Sequence, residues 1–416
     1  MMQYANYILT QLLHKYESSK AFSDGKSQRR IALQPLNDAV LAGKLENVDE
    51  KDACLAALAD LAQQGIIAYN WKKFEQGNLL DKVWLLYNDT TALSKAYELA
   101  KMQPKQQLLQ ELAILIEAAL RQQKLLPWLK QFYEAMLEQI KTKHKAPTLL
   151  TGDLGLISNI IKVLTVLNAA QSGEEILERV FSLRLYGNSK YFEKFVKNRL
   201  YSILKQYLLA EWPDEVTKDF VFAQVGIVKW PEVMEFCGSI QAILADDNKL
   251  DYQAEKFGAY INSKLANQVT SWQLEAINKI IFIENKANYT WYIENIKATD
   301  ELVIYHGGQY SPVRGRFFCA ITQAASNQTK FYHWSDIDIG GFIIFNRLQK
   351  IVPQLQPYRM DETAFTTMQK YGEFMDKAYC KKLARLLEDS DYTVFHGVIR
   401  LMLASNKRIE QECFLV

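Results

Sequence analysis

Apolar side chains recur at helical spacing from the start of the chain: Tyr4, Ile8, Leu12 and Tyr16 mark one face, with Leu9 and Leu13 beside them. QRRIALQ then reads as a short strand. A second helix is expected from Asp49 to Gln64. Asp49 is its N-cap, Ala53, Cys54, Ala57, Leu58 and Leu61 form its buried stripe, and Gly65 ends it. IIAYNWKKF, a turn at EQGN and LLDKVWLLYN follow with the alternation of a β-hairpin. Helix, strand, helix and hairpin is the order of a winged-helix module over residues 1–90. Such a module either touches DNA or serves docking and dimerisation. Its ten Lys/Arg against eleven Asp/Glu do not decide between the two.

Residues 91–172 turn almost wholly helical, in KAYELAKM, QQLLQELAILIEAALRQQ, LLPWLKQFYEAMLEQIKTK and LGLISNIIKVLTVLNAA. Pro104, Pro127 and Pro147 fall between helices or in first turns. No repeat of 30–45 residues emerges, so a helical arm is expected rather than a solenoid. Residues 173–270 read as a connecting domain. Its first part is locally basic, with seven Lys/Arg against two Glu between Ile176 and Ala210. Phe181, Tyr186, Tyr191, Phe192, Phe195, Tyr201 and Tyr207 interleave with those charges. Lys190, Lys194, Lys197 and Arg199 are therefore candidate contacts to a phosphate backbone. The alternative is that the aromatics pack inward while the cations solvate an outer face. VFAQVGIVKWPEVMEFCGSI, with turns at Gly226, Pro231 and Gly238, reads as a connector with some strand content.

Over residues 271–416 the pattern alternates cleanly. KIIFIE, ELVIYHG and KFYHWSD are strands; NKANYTWYIENI, VRGRFFCAITQAA and GGFIIFNRLQKI are the helices that follow them, and QPYRM adds a further strand. Strands separated by such helices imply right-handed crossovers and a mainly parallel sheet. The expected fold class is multidomain α+β: an N-terminal winged-helix module and helical arm, then a C-terminal α/β domain.

Composition narrows the setting. A chain of 416 residues exceeds one ordinary core, and 49% hydrophobic with 12% aromatic residues fits a well-buried protein. No apolar run reaches the ~20 residues that span a bilayer, and no secretory signal is evident, so no membrane partner is expected. The five cysteines are scattered, without C-x-x-C or zinc spacing. A reducing cytoplasm is the simplest home. A formal charge of +2 does not announce nucleic acid, so any contact must come from local patches.

Two acidic islands carry the chemistry. KIIFIENKANY holds Glu284 at a strand end, and FYHWSDIDIGGF holds Asp336 and Asp338. Open α/β sheets place their sites beyond the carboxyl ends of the strands. Carboxylates two residues apart at a strand end point the same way, repel one another, and suit Mg²⁺ or Mn²⁺ held against a phosphate. Glu284 either joins the metal or moves a proton. Gly340 and Gly341 open the next helix and allow close backbone approach to a phosphate. Glu410 and Glu412, in KRIEQE, add a metal ligand or brace the site. Lys286, Arg314 and Arg316 are candidate phosphate contacts. His306 and His333 read as core histidines.

These motifs resemble the Toprim domain of topoisomerases, primases and related nucleases. More closely, IENKANY, YHGGQY, HWSDIDIGGF, PYRMD and KRIEQE resemble the JetD family, the nuclease subunits of Wadjet anti-plasmid systems and relatives of the topoisomerase VI A subunit. FSLRLYGNSK, VGIVKWPEVMEFCG and LLHKYESSK extend the resemblance upstream. It implies that Glu284 is the Toprim glutamate and Asp336 and Asp338 its Asp-x-Asp pair. It implies metal-dependent cleavage of double-stranded plasmid DNA, delivered by a condensin-like SMC, kleisin and KITE complex, and a homodimer that cuts both strands. The A-subunit relatives use a tyrosine nucleophile, typically at adjacent tyrosines; Tyr201 in NRLYS lacks that doublet, which favours water. The rivals are a non-catalytic DNA-binding scaffold and topoisomerase-like cleavage through a tyrosine.

Overall fold

The computed structural model describes residues 2–416 apart from 26, 28, 151–152, 170–173 and 211–215. The expected boundary at 172/173 lies outside the described residues. The protein is mixed α/β with several sheets, in two compact units, Met1–Thr165 and Val166–Val416.

The first unit runs α1 (Met2–Glu17), α2 (Lys20–Asp24), β1 (Ile31–Leu33), α3 (Ala39–Glu46), α4 (Val48–Gln63), β2 (Ile67–Trp71) and β3 (Leu80–Leu85). Four longer helices follow: α5 (Thr90–Leu99), α6 (Lys105–Leu120), α7 (Pro127–Lys143) and α8 (Leu154–Ala169). The hairpin β2–β3 forms as expected, and β1 pairs with β3 on its other side. Ile8, Leu9, Leu12 and Leu13 bury against Cys54, Leu58 and Leu61, as the helical stripes require. Two details differ. Helix α4 begins at Val48, so Asp49 lies inside its first turn rather than capping it. An extra helix, α3, forms because the Asp38 side chain accepts from the Val40 and Leu41 amides.

The second unit begins with β4 (Ile176–Leu177), α9 (Glu178–Tyr186), α10 (Lys197–Ile203), α11 (Lys218–Ala223) and β5 (Ile227–Val228). Short π-helical stretches, Phe192–Val196 and Leu204–Leu208, flank α10. Next come β6 (Val233–Cys237), β7 (Gln241–Leu244), β8 (Lys249–Asp251), β9 (Ala259–Asn262), α12 (Ser263–Ala266) and β10 (Val269–Gln273). The alternating stretch supplies β11 (Lys279–Ile283), α13 (Lys286–Asn295), β12 (Glu301–Tyr305), α14 (Pro312–Ala324), β13 (Lys330–Trp334), α15 (Ile339–Gln349) and β14 (Gln356–Pro357). The chain closes through α16 (Glu362–Met368), β15 (Glu373–Phe374), α17 (Lys377–Arg385), α18 (His396–Ser405) and β16 (Lys407–Arg408).

The central sheet has the order β14-β13-β11-β12-β6-β9. The strands read from sequence, β11 to β14, all pair in parallel. The sheet as a whole is mixed, because β6 and β9 add two antiparallel strands. They come from the stretch read as a connector. Four of the five β6 residues are buried, Glu235 among them, so the strand lacks the alternation that marks a half-buried one. Strand β11 sits centrally, with Ile280, Ile281, Phe282 and Ile283 fully buried. A central strand flanked by crossover helices fixes what emerges at its carboxyl end.

Candidate functional site

Glu284 is the first residue past β11. Its amide donates to the Trp334 carbonyl at 3.0 Å, and the His306 amide donates to the Ile283 carbonyl at 3.0 Å. The carboxyl ends of β11, β12 and β13 are thereby held level. Beyond β13 the backbone stays extended, and Ile337 makes a two-way antiparallel bridge with Ile409, at 2.9 and 3.3 Å. That bridge does two things. It keeps Asp336 and Asp338 on one side of the chain, and in antiparallel register it sets Glu410 opposite Asp336 and Arg408 opposite Asp338. Asp338 also caps α15, accepting from the Gly341 amide at 2.8 Å.

Gln411 locks the C-terminal segment onto this ledge. It is wholly buried. Its Nε2 donates to the Trp334 carbonyl at 3.1 Å and its Oε1 accepts from the Asn285 amide at 2.9 Å. Its amide donates to Asp336 Oδ1 at 2.6 Å, and its carbonyl accepts from Asn288 Nδ2 at 2.7 Å. Asn285 Nδ2 donates to Glu412. One side chain thus ties the last residues to both acid-bearing strand ends.

The electrostatics follow from crowding anions in a dry place. Burial, then the charges of Asp336 and Asp338, push the Glu284 carboxyl up to about 8, although the Asp336 amide offsets part of this. Burial and Asp338 push Asp336 up to about 7, with smaller contributions from Glu412 and Glu410 and an opposing one from the Gln411 amide. Glu284 Oε2 is buried without a hydrogen-bond partner. Among the described residues no three acidic, His or Cys side chains close into a ready coordination set. The acids repel without converging. An all-oxygen, multiply anionic set with an orphaned carboxylate oxygen fits a hard divalent cation, and Glu284, Asp336 and Asp338 are the residues to hold it.

Two glycines are required here. Gly308, at φ +79°, would place a Cβ 3.3 Å from Glu284 Oε1. A Cβ on Gly341 would meet the Asp336 carbonyl at 2.2 Å. The close approach that Gly341 permits is therefore to the Asp336 backbone of its own chain. At Gly340 the nearest neighbour is the Asp338 carboxylate, at 3.2 Å.

The other candidates scatter. Lys286 forms an ion pair with Glu235 and lies over the Tyr260, Tyr289 and Tyr305 rings, so it is committed within the fold. Arg314 donates to the carbonyls of His306, at 2.9 Å, and Val233, at 3.3 Å, bracing the loop beside Glu284. Arg316 donates to Asn267 Oδ1 and lines a different cleft, with Met234 and Trp272. Lys197 is paired with Glu178 beneath the surface and sits 5.2 Å above the Phe222 ring; burial makes it a structural residue rather than an open phosphate contact. Lys190 and Lys194 are exposed and Arg199 is half-buried. Phe181 and Phe192 pack inward, whereas the Tyr186, Tyr191 and Phe195 rings stack in series nearer the surface. Tyr201 lies beneath Lys218 Nζ, at 5.5 Å. His306 and His333 are fully buried, stacked 5.0 Å apart, and burial drives both toward the neutral form, His306 to about 4.

Sequence reasoning missed three residues. Gln411 stands between two acids that drew attention away from it. The Tyr379 hydroxyl accepts from the Ile339 amide at 2.9 Å, beside Asp338. Arg408 lies 5.6 Å from the Tyr379 ring and donates to Glu373 at 2.9 Å.

Fold and site together define an α/β protein with an all-carboxylate crevice at the carboxyl ends of parallel strands. Residues 243–415 match the family model described as Wadjet protein JetD, C-terminal. The chain is similar over nearly its whole length to the Wadjet protein JetD of Bacillus cereus (strain Q1), 27% identical over 424 residues that cover 99% of this chain and 98% of that one. By these matches the chain is similar to JetD proteins, most specifically over its C-terminal part.

Proposed function

We propose that the protein is the divalent-metal-dependent DNA endonuclease of a Wadjet-like defence system. Its similarity to a Wadjet protein supports a role in that system. The observation that carries the nuclease reading is the carboxylate cluster. Glu284, Asp336 and Asp338 sit at adjacent strand ends, two of them held well above the ordinary carboxylate range by burial and mutual repulsion. Mg²⁺ or Mn²⁺ there would relieve that repulsion, polarise a scissile phosphate and stabilise the charge that develops on it. The protein's own residues orient the acids: Gln411 fixes Asp336, the Gly341 amide fixes Asp338, and Gly308 leaves room beside Glu284. Water is the proposed nucleophile. Glu410 and Glu412 add negative charge behind Asp336 and Glu284.

Plasmid DNA is the proposed substrate, a condensin-like SMC, kleisin and KITE assembly the proposed partner, and the cytoplasm the setting. A homodimer would present two sites to the two strands. The N-terminal unit, read as a winged-helix module and arm, serves docking or DNA contact. The test incubates wild type and Glu284→Ala with supercoiled circular DNA and Mn²⁺ or Mg²⁺, with and without co-encoded SMC-type proteins. Metal-dependent linearisation by wild type alone supports the reading. DNA binding without cutting under every condition supports the scaffold instead.

A further inference from the structure

A site built from carboxylates faces a physical problem if its substrate is a polyanion. Metal ions relieve the local repulsion, but the duplex on either side must be held by cations nearby. The basic residues picked from the sequence do not supply them next to Asp338. Lys286, Arg314 and Lys197 are tied into the fold, and Arg316 lines another cleft.

Helix α17 does. Its sequence KAYCKKLAR holds Lys377, Lys381, Lys382 and Arg385 and no acid. All four side chains are exposed. Lys377, Lys381 and Arg385 follow one another at i, i+4 and i+8, a stripe about 12 Å long, comparable with the width of the DNA major groove. Leu383 is fully buried on the opposite face, with Tyr379 and Cys380 partly buried beside it. Two observations show that the charge of this stripe is not neutralised by its neighbours. Among the described residues none of these four cations forms an ion pair, whereas Lys44, Lys229, Lys279 and Lys286 each pair with an acid. The nearby Asp376 is occupied in capping α17, at 2.7 Å from the Tyr379 amide, and Glu373 is occupied by Arg408.

The inner face of the same helix is anchored at the acids. The Tyr379 hydroxyl meets the Ile339 amide at the start of α15, directly after Asp338. Arg408, opposite Asp338 in the bridge register and partly exposed, lies against the Tyr379 ring. We propose that the exposed face of α17, with Arg408 where it meets the acids, is a track for the phosphate backbone of duplex DNA leading into the carboxylate site. This rests on the nuclease reading for its meaning but not for its measurement.

The experiment uses the full chain in EDTA, so that no cleavage intervenes, and a fluorescent duplex of about 30 base pairs titrated between about 50 and 200 mM salt. The triple variant Lys377→Gln/Lys381→Gln/Arg385→Gln should bind at least tenfold more weakly at the low-salt end. Its log K against log salt slope should fall by about 2.7, the value for three lost phosphate contacts on B-DNA. Lys377→Arg/Lys381→Arg should bind as wild type, because it keeps the charge. Neutralising Lys249 and Lys256, exposed in the same unit on and after β8, is the control and should leave the slope alone. An unchanged slope in the triple variant overturns the track, as does an affinity loss without a slope change, or a wild type that binds no duplex at low salt. A track that passes these tests in a protein that never cuts would leave the track standing and remove the nuclease reading.

Discussion

Glu284→Gln gives the most direct access to the electrostatics of the site, because it keeps the shape and removes the charge. In the folded protein the Glu284 carboxyl is pushed up to about 8 from an ordinary 4.5. Between those values the folded chain holds a proton that the unfolded chain has released. Stability without metal must therefore fall as pH rises from about 4.5 to about 8. Each tenfold change in proton affinity is worth about 1.4 kcal/mol, so the upper bound on the loss is about 5 kcal/mol. Relaxation and water entry return part of it, which leaves an expectation of about 2–3 kcal/mol. Glu284→Gln should recover that amount at about pH 8 in EDTA, raising the melting temperature of the second unit by roughly 5–10 °C. At about pH 4, below the ordinary value, the variant and wild type should melt together, since Glu284 is then largely protonated in the folded and the unfolded chain alike. Mg²⁺ or Mn²⁺ should narrow that gap at about pH 8, stabilising wild type by about 2.7 kcal/mol at a hundredfold excess over its dissociation constant, and the variant by less. The measurement is thermal unfolding across pH with and without divalent cation. Parallel pH profiles for the two proteins in EDTA would refute the reasoning.

Three further outcomes are expected. Gln411→Ala leaves the Asn285 amide without its acceptor and takes one of two donors from the Trp334 carbonyl, which keeps the Glu284 amide, and should cost about 1–3 kcal/mol in denaturant unfolding. Gly341→Ala forces a Cβ into the Asp336 carbonyl, so it should abolish metal-dependent cleavage and lower the melting temperature, read by plasmid linearisation and thermal unfolding. Tyr201→Phe should leave cleavage unaltered; lost activity with a trapped protein–DNA adduct in the wild type would replace water by tyrosine as nucleophile.

What the sequence discloses and what it hides divide along a physical line. Strands β11 to β13 are read correctly because each is a short apolar run followed by a helix with a clear start. The placement of Glu284, Asp336 and Asp338 is legible because acids directly past such runs must emerge at the sheet's carboxyl edge. Strand β6 is not legible, since burial on both faces erases the period that marks a strand. Helix α3 is not legible either, because it depends on one capping aspartate rather than on a long stripe. Lys197 is misread for a related reason. Composition shows that it is basic, but not that Glu178 waits beneath it.

Gln411 shows the deeper limit. A buried glutamine has no pattern of its own; its meaning lies in four partners 75 to 126 positions away in the chain. Those bonds make the C-terminal segment part of the site rather than a tail beside it. Ile409 bridges Ile337, Glu410 comes opposite Asp336, and Glu412 reaches Asn285. The segment therefore brings two more acids toward a cluster that already repels itself. Such an arrangement is costly unless something cationic occupies it, and among the described residues no cation acts on Glu284 or Asp336: Arg408 stands at the rim with Glu373. A ledge that gathers five carboxylates and commits a buried glutamine to holding them together would be relieved by a cation supplied from outside.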